Sequence, residues 1–391
     1  MAGALDGIRI LDLTAMITGP MATMILADQG AEVVKIEPPG IGDIMRYLGS
    51  NSRGISAMYA SCNRNKQSVV LNLATDEGKA IVRELAAESD VFIQNFRPGV
   101  IERLGLGEGV LRADHPELVY ASLNAFGETG PYADRPAFDH ILQGMTGAAY
   151  VQRSDEPEYM RQAWVDKATA VNAAQAITAA LLARERGAGG QHLRISMLDV
   201  GLAFLWPDGH SSTMLLEDDA VHLPPISNTY RPAPTKDGAV TIAAVTEDQR
   251  TNLLIAMEQE QLLADPRFST PEAFLTNLDA FREEVSSVGQ ELSSEEVIER
   301  LREADVPCGP ILRPEEVQHF PQVVASGALV ESEHPVMGRI LQPRPPARFE
   351  GTPSEIRSPA PSLGEHTQAV LSRIGRSDET IEKLRADGVV G

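Results

Sequence analysis

The sequence is poor in cysteine, in basic charge and in long apolar runs. Only Cys62 and Cys308 occur among 391 residues. They stand far apart, with no CxxC and no Cys/His ligand spacing, so neither a disulfide framework nor a structural zinc site is expected, and a reducing cytoplasm fits. Lys and Arg number 34 against 55 Asp and Glu, a formal net charge of −21. That balance repels polyanions at long range, so no nucleic-acid partner is expected. Asp6, Arg9 and Asp12 break any signal-peptide apolar region, and no apolar run approaches a membrane span, so a soluble, cytoplasmic protein with no membrane partner is expected. With 43% hydrophobic residues, the chain has enough length for two cores rather than one, which predicts two domains.

What is present is an alternation of strand and helix signals. Ile8-Arg9-Ile10-Leu11-Asp12-Leu13 reads as a buried strand, a Gly19-Pro20 turn follows, residues 21–29 read as an apolar helix and 32–36 as a second strand. This is a βαβ unit, with a right-handed crossover between parallel strands. Strand signals at 68–73, 90–93 and 118–122 alternate with helical stretches such as 76–88, which predicts a doubly wound α/β domain. Residues 169–186 are rich in Ala and Leu without Pro or Gly and stop at Gly187, Gly189 and Gly190. They predict a closely packed helix with a glycine terminus. Residues 192–195 read as a strand and 197–205 as a helix. The Pro-containing stretch 224–234 marks a boundary, so residues 1–223 form the first part of a large domain and 224–330 a smaller mixed one, opening with a Lys236-Asp237-Gly238 turn and a strand at 239–244. Prolines between 343 and 361 mark a linker back, and residues 331–391 end in two helices.

The first βαβ unit raises a dinucleotide reading, because Glu37 ends its second strand where an acidic residue binds a ribose hydroxyl. The turn Ile17-Thr18-Gly19-Pro20-Met21-Ala22 lacks G-x-G-x-x-G, so nicotinamide or flavin binding is not expected. Asp166 stands just before the Ala-rich helix and reads as its N-cap. The same placement suits a nucleophile, since the dipole and free amides of a helix N-terminus keep a carboxylate ionised for attack on a thioester carbonyl. Asn95-Phe96-Arg97-Pro98-Gly99 follows an apolar strand at its carboxyl end, where doubly wound sheets bind ligands. Phe96 suits an adenine or a pantetheine chain, and Arg97 or Arg103 suits phosphate, whose oxygens match a guanidinium fork. Arg46, Arg53, Arg64, Arg97 and Arg103 together offer a basic cluster for a small anion.

The whole chain resembles the family III CoA-transferases, the CaiB/BaiF family. The resemblance is carried by Leu11-Asp12-Leu13 with Gly19-Pro20, by residues 26–37 (LADQGAEVVKIE), by Gly42-Asp43, Asn63-Arg64-Asn65-Lys66, Asn95-Phe96-Arg97-Pro98-Gly99 and Gly130-Pro131-Tyr132. It continues through Gly189-Gly190-Gln191, Ala264-Asp265-Pro266-Arg267-Phe268, Val306-Pro307-Cys308-Gly309-Pro310 and residues 360–367 (APSLGEHT). It implies a Rossmann-like domain built from both chain ends, a smaller α+β domain inserted late, and two interlocked subunits. It also implies transfer of CoA from an acyl-CoA to a small carboxylic acid through an aspartyl mixed anhydride and an aspartyl-CoA thioester, with Asp166 as nucleophile. No metal and no permanently bound cofactor are implied; CoA and acyl-CoA enter as substrates. The implied CoA contacts are Ile17, Thr18, Leu71, Asn72, Asn95, Phe96, Arg97, Arg103, Phe138 and Asp139. Formyl-CoA transferases carry Arg at the position of Pro38, Gln at that of Ile17, and a glycine-rich loop not found near Glu247-Asp248-Gln249, which speaks against an oxalate/formate pair. The alternative is α-methylacyl-CoA racemase, which shares the fold and the aspartate but needs a second acid/base. Racemases place a histidine where this chain has Phe138, and His140 lies two positions on.

Overall fold

The computed structural model describes residues 2–153 and 155–391. Its main sheet is built from β1 (Arg9–Leu13), β2 (Glu32–Glu37), β3 (Lys66–Val70), β4 (Val91–Gln94), β5 (Val119–Asn124) and β6 (His192–Ser196). Their order is β3-β2-β1-β4-β5-β6, and every neighbouring pair is parallel. The chain winds one way from β1 and then the other way from β4, so a crevice opens beyond the carboxyl ends of this adjacent pair, where Leu13 faces Gln94.

The period-2 alternation of a strand decides which residues face which layer. Leu11, Val34, Phe92 and Tyr120 point to one side, against α2 (Asp76–Ala87) and the C-terminal helices. Ile10, Val33, Val91 and Val119 point to the other, against α1 (Thr18–Asp28) and α4 (Trp164–Ala183). The small side chains expected to allow close packing are there: Ala22 and Ala27 on α1 and Ala170, Ala173 and Ala174 on α4 are buried in one cluster. Two parallel helices that pack on alanines bring their N-termini together, and those ends carry Thr18 and Asp166. Gly19 is required at the start of α1, since a Cβ there would lie 2.2 Å from Cβ of Thr14. Gly190, before β6, would likewise place a Cβ 2.4 Å from the backbone carbon of Glu117.

α4 begins at Trp164 rather than near 169, and Asp166 lies inside its first turn instead of capping it. The N-cap residue is Ala163, which has no side-chain acceptor. Asp139, the first residue of α3 (Asp139–Met145), supplies one from outside: its Oδ2 accepts the Asp166 backbone N–H at 3.0 Å. This borrowed cap satisfies an orphan amide and lets the helix start earlier than its own sequence signals.

The chain divides into two compact units, Met1–Phe204 with Ala325–Gly391, and Leu205–Val324. The prolines at 224 and 225, read from the sequence as a boundary, fall inside the second unit. That unit holds a three-stranded antiparallel sheet of β7 (Ala233–Pro234), β8 (Ala239–Ile242) and β9 (Cys308–Pro310), with helices packed around Val240, Leu253, Phe281 and Leu301. Glu247-Asp248-Gln249 opens a helix there, closed by a Thr246/Gln249 capping box. Within the stretch read as linker and return, Leu329–His334 and Gly338–Pro343 pair as a hairpin, β10 and β11. The C-terminal helices α5 (Thr367–Arg373) and α6 (Asp378–Ala386) return to the main sheet. There Thr367 Oγ1 accepts from Val70 N at 3.1 Å and Val389 O accepts from Asn72 N at 2.8 Å. No helix among the described residues is long and apolar enough to cross a membrane.

Candidate active site

A cavity of about 670 Å³ occupies the crevice beyond β1 and β4. Its walls come from the segments after β1 (Thr14, Ala15, Met16), after β2 (Pro38, Pro39, Gly42), after β3 (Leu71, Asn72) and after β4 (Asn95, Phe96, Arg97), and Phe138 and Asp166 close it. The residues expected to form a ligand site thus largely meet here: Thr18, Leu71, Asn72, Asn95, Phe96, Arg97, Phe138 and Asp166 all line it. Three do not. Ile17 caps α1 and packs against the Met45/Tyr59 cluster. Asp139 is 7% exposed and turned toward α4. Arg103 is exposed, with its guanidinium 3.1 Å from where a Cβ on Gly99 would stand.

Asp166 is half-buried, and Thr18 donates its hydroxyl proton to Oδ1. Burial pushes the carboxyl up to about 6, the Asp139 charge adds to the rise, and Thr18 and Lys167 oppose it. The sequence placed this carboxylate under the stabilising influence of free helix amides. Instead, its own amide is taken by Asp139, and burial outweighs the helix end. The carboxylate is thus held less firmly than one that caps its own helix.

Beneath the cavity floor lies a buried ionic network that charge counting does not reveal. Lys35 is fully buried, donates to Thr14 O at 2.6 Å and pairs with Asp43 at 3.0 Å. Asp43 Oδ1 in turn accepts from Met16 N at 3.1 Å and Met45 N at 3.0 Å. Asp12 is buried beside Lys66 at 3.1 Å and accepts from Thr14 Oγ1 at 2.5 Å and Thr23 Oγ1 at 2.6 Å. Burial penalises the Asp12 carboxylate, but Lys66, Lys35 and the two hydroxyls hold its carboxyl down at about 2. Burial also brings the Lys66 ammonium down to about 8. These contacts fix the backbone of residues 14–17, and Asn95 clamps the same turn by accepting from Ala15 N at 3.0 Å and donating to Ala15 O at 2.8 Å.

Glu37 is not free for a ribose hydroxyl. Arg46 grips both its oxygens, at 2.8 and 2.7 Å, and Ser68, Tyr59 and the Asp43 amide also donate to it. Against burial, Arg46 and Lys35 hold its carboxyl at about 2. The arginine cluster likewise separates. Arg46 is bound to Glu37, Arg64 is buried against Asp28 at 2.7 Å, and Arg53 donates to Val336 O. Arg97 remains on the cavity wall and is joined there by Arg135, whose guanidinium sits 4.2 Å from the centre of the Tyr132 ring. Arg135 was not singled out from the sequence, and nothing in its local pattern marks it. Lys35 carried a signal, since a lysine between apolar neighbours in a two-sided strand requires a buried partner.

Phe138 is 60% exposed and His140 is exposed beside the Tyr159 ring. The titratable side chains lining the cavity among the described residues are Glu37, Asp43, Arg97, Arg135 and Asp166, and the first two are consumed in ion pairs. Among the described residues, Asp166 is the lining carboxylate left outside an ion pair, and no second acid/base lines the cavity with it.

The Asp166 carboxylate at the switch point of a doubly wound sheet, with Arg97 and Arg135 on the wall of an otherwise largely apolar cavity, makes a site suited to an anionic ligand. Residues 5–367 match the model of CoA-transferase family III, and the chain belongs to that family. It is 33% identical to a succinyl-CoA:glutarate CoA-transferase of Mus musculus, over 99% of this chain and 90% of the relative. It is also 33% identical to a succinate–glutarate CoA-transferase of Agrobacterium fabrum, over 97% and 96%, and 30% identical to an Escherichia coli formyl-CoA:oxalate CoA-transferase over the full length of both. Its fold is similar to the crystal structure of a CaiB/BaiF family protein from Brucella suis, with a TM-score of 0.82 and 30% identity over 96% of this chain and all of the other. The chain is thus an enzyme of the transferase class.

Proposed function

We propose that the protein moves CoA between short dicarboxylic acids, with Asp166 as the covalent nucleophile. The observation that carries this reading is the Asp166 carboxylate itself: it lines the cavity, its carboxyl lies at about 6, and no second acid/base accompanies it. A carboxylate oxygen attacks the acyl-CoA carbonyl, the C–S bond breaks and CoA leaves as thiolate, giving an acyl-aspartyl mixed anhydride. The thiolate attacks the aspartyl carbonyl, the anhydride C–O bond breaks, and the donor acid leaves with the electron pair. The acceptor carboxylate then runs the same steps backwards, and no net proton is exchanged. Thr18, already donating to Oδ1, is placed to follow charge on the aspartyl oxygen during attack. Phe96 and Arg97 offer an aromatic face and a guanidinium to CoA, and the succinate and glutarate of the named relatives supply the acid class. Racemisation is disfavoured, since inverting a carbon needs two opposed acid/base groups. The family resemblance further supports an interlocked homodimer, which light scattering tests directly.

The test is to trap the adduct. Incubation with succinyl-CoA followed by hydroxylamine should convert Asp166 to a hydroxamate, read as a mass change on the peptide containing Val165-Asp166-Lys167. Asp166→Asn should abolish transfer, and Asp166→Glu should lose on the order of a hundredfold, because a methylene misplaces the attacking oxygen by about 1 Å. No adduct with any competent donor, together with solvent deuterium entering the α-carbon of a 2-methylacyl-CoA, would replace transferase by racemase.

A further inference from the structure

A second cavity of about 410 Å³ lies behind the first, and the two share Phe96, Arg97 and Pro98, together with Leu123 and Asn124 at the end of β5, as a common wall. A wall with open space on both faces is not held by packing alone. The Phe96 ring leans on the core of one sheet face and Arg97 O accepts from Val100 N at 3.1 Å, but the Phe96 amide needs a partner of its own. Gln94 gives it one, its Oε1 accepting the Phe96 N–H at 2.8 Å.

Gln94 is 4% exposed, so its amide must be satisfied at both ends. Its Nε2 donates to Ser122 Oγ at 3.0 Å, and Ser122 Oγ lies 2.8 Å from His192 Nε2. The Phe96 amide fixes the orientation of the Gln94 side chain, so Ser122 Oγ accepts from Gln94, and the histidine tautomer sets which of Ser122 and His192 donates in the second bond. Residues 94, 122 and 192 stand on β4, β5 and β6, so the prop crosses three adjacent strands. His192 Nδ1 is buried with no hydrogen-bond partner among the described residues, and the closest opposite charge is Glu108 at 3.9 Å, which is already bound to Arg112 at 2.6 Å. The ring is held instead edge-on to Tyr120, 5.1 Å between centres.

We propose that Gln94, Ser122 and His192 are positioning residues: a hydrogen-bonded strut that holds the 96–98 wall in the conformation that receives CoA. None of the three lines the larger cavity, so their influence on the substrate passes through Phe96 and Arg97. The inference rests on the reading that this cavity takes acyl-CoA.

The experiment measures free CoA binding by calorimetry, with hydrogen exchange at the Phe96 amide as a readout that needs no ligand. Ser122→Ala and Gln94→Ala should each weaken CoA about tenfold and speed Phe96 exchange. The double variant should be no worse than the weaker single, because one strut is broken in either case. Ser122→Thr keeps the hydroxyl and should bind as wild type, and His192→Phe keeps the edge contact with Tyr120 but should weaken CoA like Ser122→Ala. In turnover, KM for acyl-CoA should rise by the same factor while kcat stays near wild type. Additive losses, or unchanged Phe96 exchange in both Ser122→Ala and His192→Phe, would overturn the strut. Accelerated exchange in variants of a protein that binds no CoA at all would uphold the strut and sink the proposed function instead.

Discussion

Asp139→Asn isolates the electrostatics of the nucleophile with almost no change of shape. Asp139 lies at hydrogen-bond distance from the Asp166 amide, 3.0 Å, and its other oxygen accepts from Gln143 Nε2 at 2.6 Å. Its negative charge is the second cause, after burial, of the rise of the Asp166 carboxyl to about 6. Removing it should lower that value, because a close like charge disfavours the ionised form. An asparagine oxygen can keep the amide bond to Asp166, but its NH₂ group then meets the Gln143 NH₂. Gln143 cannot turn freely, because the same nitrogen also donates to Met160 O and Gln162 O. About 1–3 kcal/mol of stability should therefore be lost. The assay is the pH profile of kcat/KM for CoA exchange between succinyl-CoA and glutarate. Activity needs ionised Asp166, so it should rise through about pH 6 in the wild type and begin at lower pH in the variant. The plateau should drop severalfold, since a less basic carboxylate is a poorer nucleophile. An acid limb that stays put or moves upward would refute the reasoning, whatever the loss of stability.

Asp166 has a folded-state pKa above its unfolded one, so its contribution to stability is intact below about pH 4 and is lost as pH rises through about 6. Asp166→Asn should accordingly melt higher than wild type at pH 7.5, by about 1–2 kcal/mol after allowance for solvent screening, with the gap closing at pH 4 in calorimetry. Arg46→Met leaves the buried Glu37 carboxylate unpaired and should cost about 3–5 kcal/mol in urea unfolding. Arg97→Ala should raise KM for acyl-CoA about tenfold with the melting temperature unchanged, from the loss of one charge-assisted contact; unchanged kinetics would remove Arg97 from the substrate site.

Periodicity made the first two strands and α1 readable, because both faces of the sheet are covered and the runs 10–13 and 33–36 are apolar but for Asp12 and Lys35. It also located the loop after β4, since parallel topology alone sends ligand residues to that edge. The start of α4 escaped because its cap comes from Asp139, in a different helix, and no local rule reaches 27 residues away. Glu37 and Arg46 were both noticed, one as a ribose ligand and the other as an anion binder; only the tertiary fold shows that they bind each other. The hairpin of residues 329–343 hides behind alternation that carries charges on exposed positions and ends in a run of prolines. Asp166 read locally as an N-cap that also suits a nucleophile, and the family resemblance is what chose between the two.

The wall formed by Leu71 and Asn72 is completed by residues translated near the other end of the chain. Asn72 Nδ2 donates to Gly388 O, 316 positions later, Leu71 forms an isolated bridge with Val390, and the neighbouring strand bonds to His366 and Thr367. At bacterial or eukaryotic elongation rates that interval lasts about 15–60 s. From the synthesis of β6 onward, a nascent chain holds β3 as the open edge of a nearly finished sheet, with donors and acceptors facing outward. The protein therefore has a window on the ribosome in which its edge strand is available to other strands and its cavity lacks a side. Slow codons in the last 30 or so positions would widen that window, and chaperone dependence during synthesis is the trait to look for.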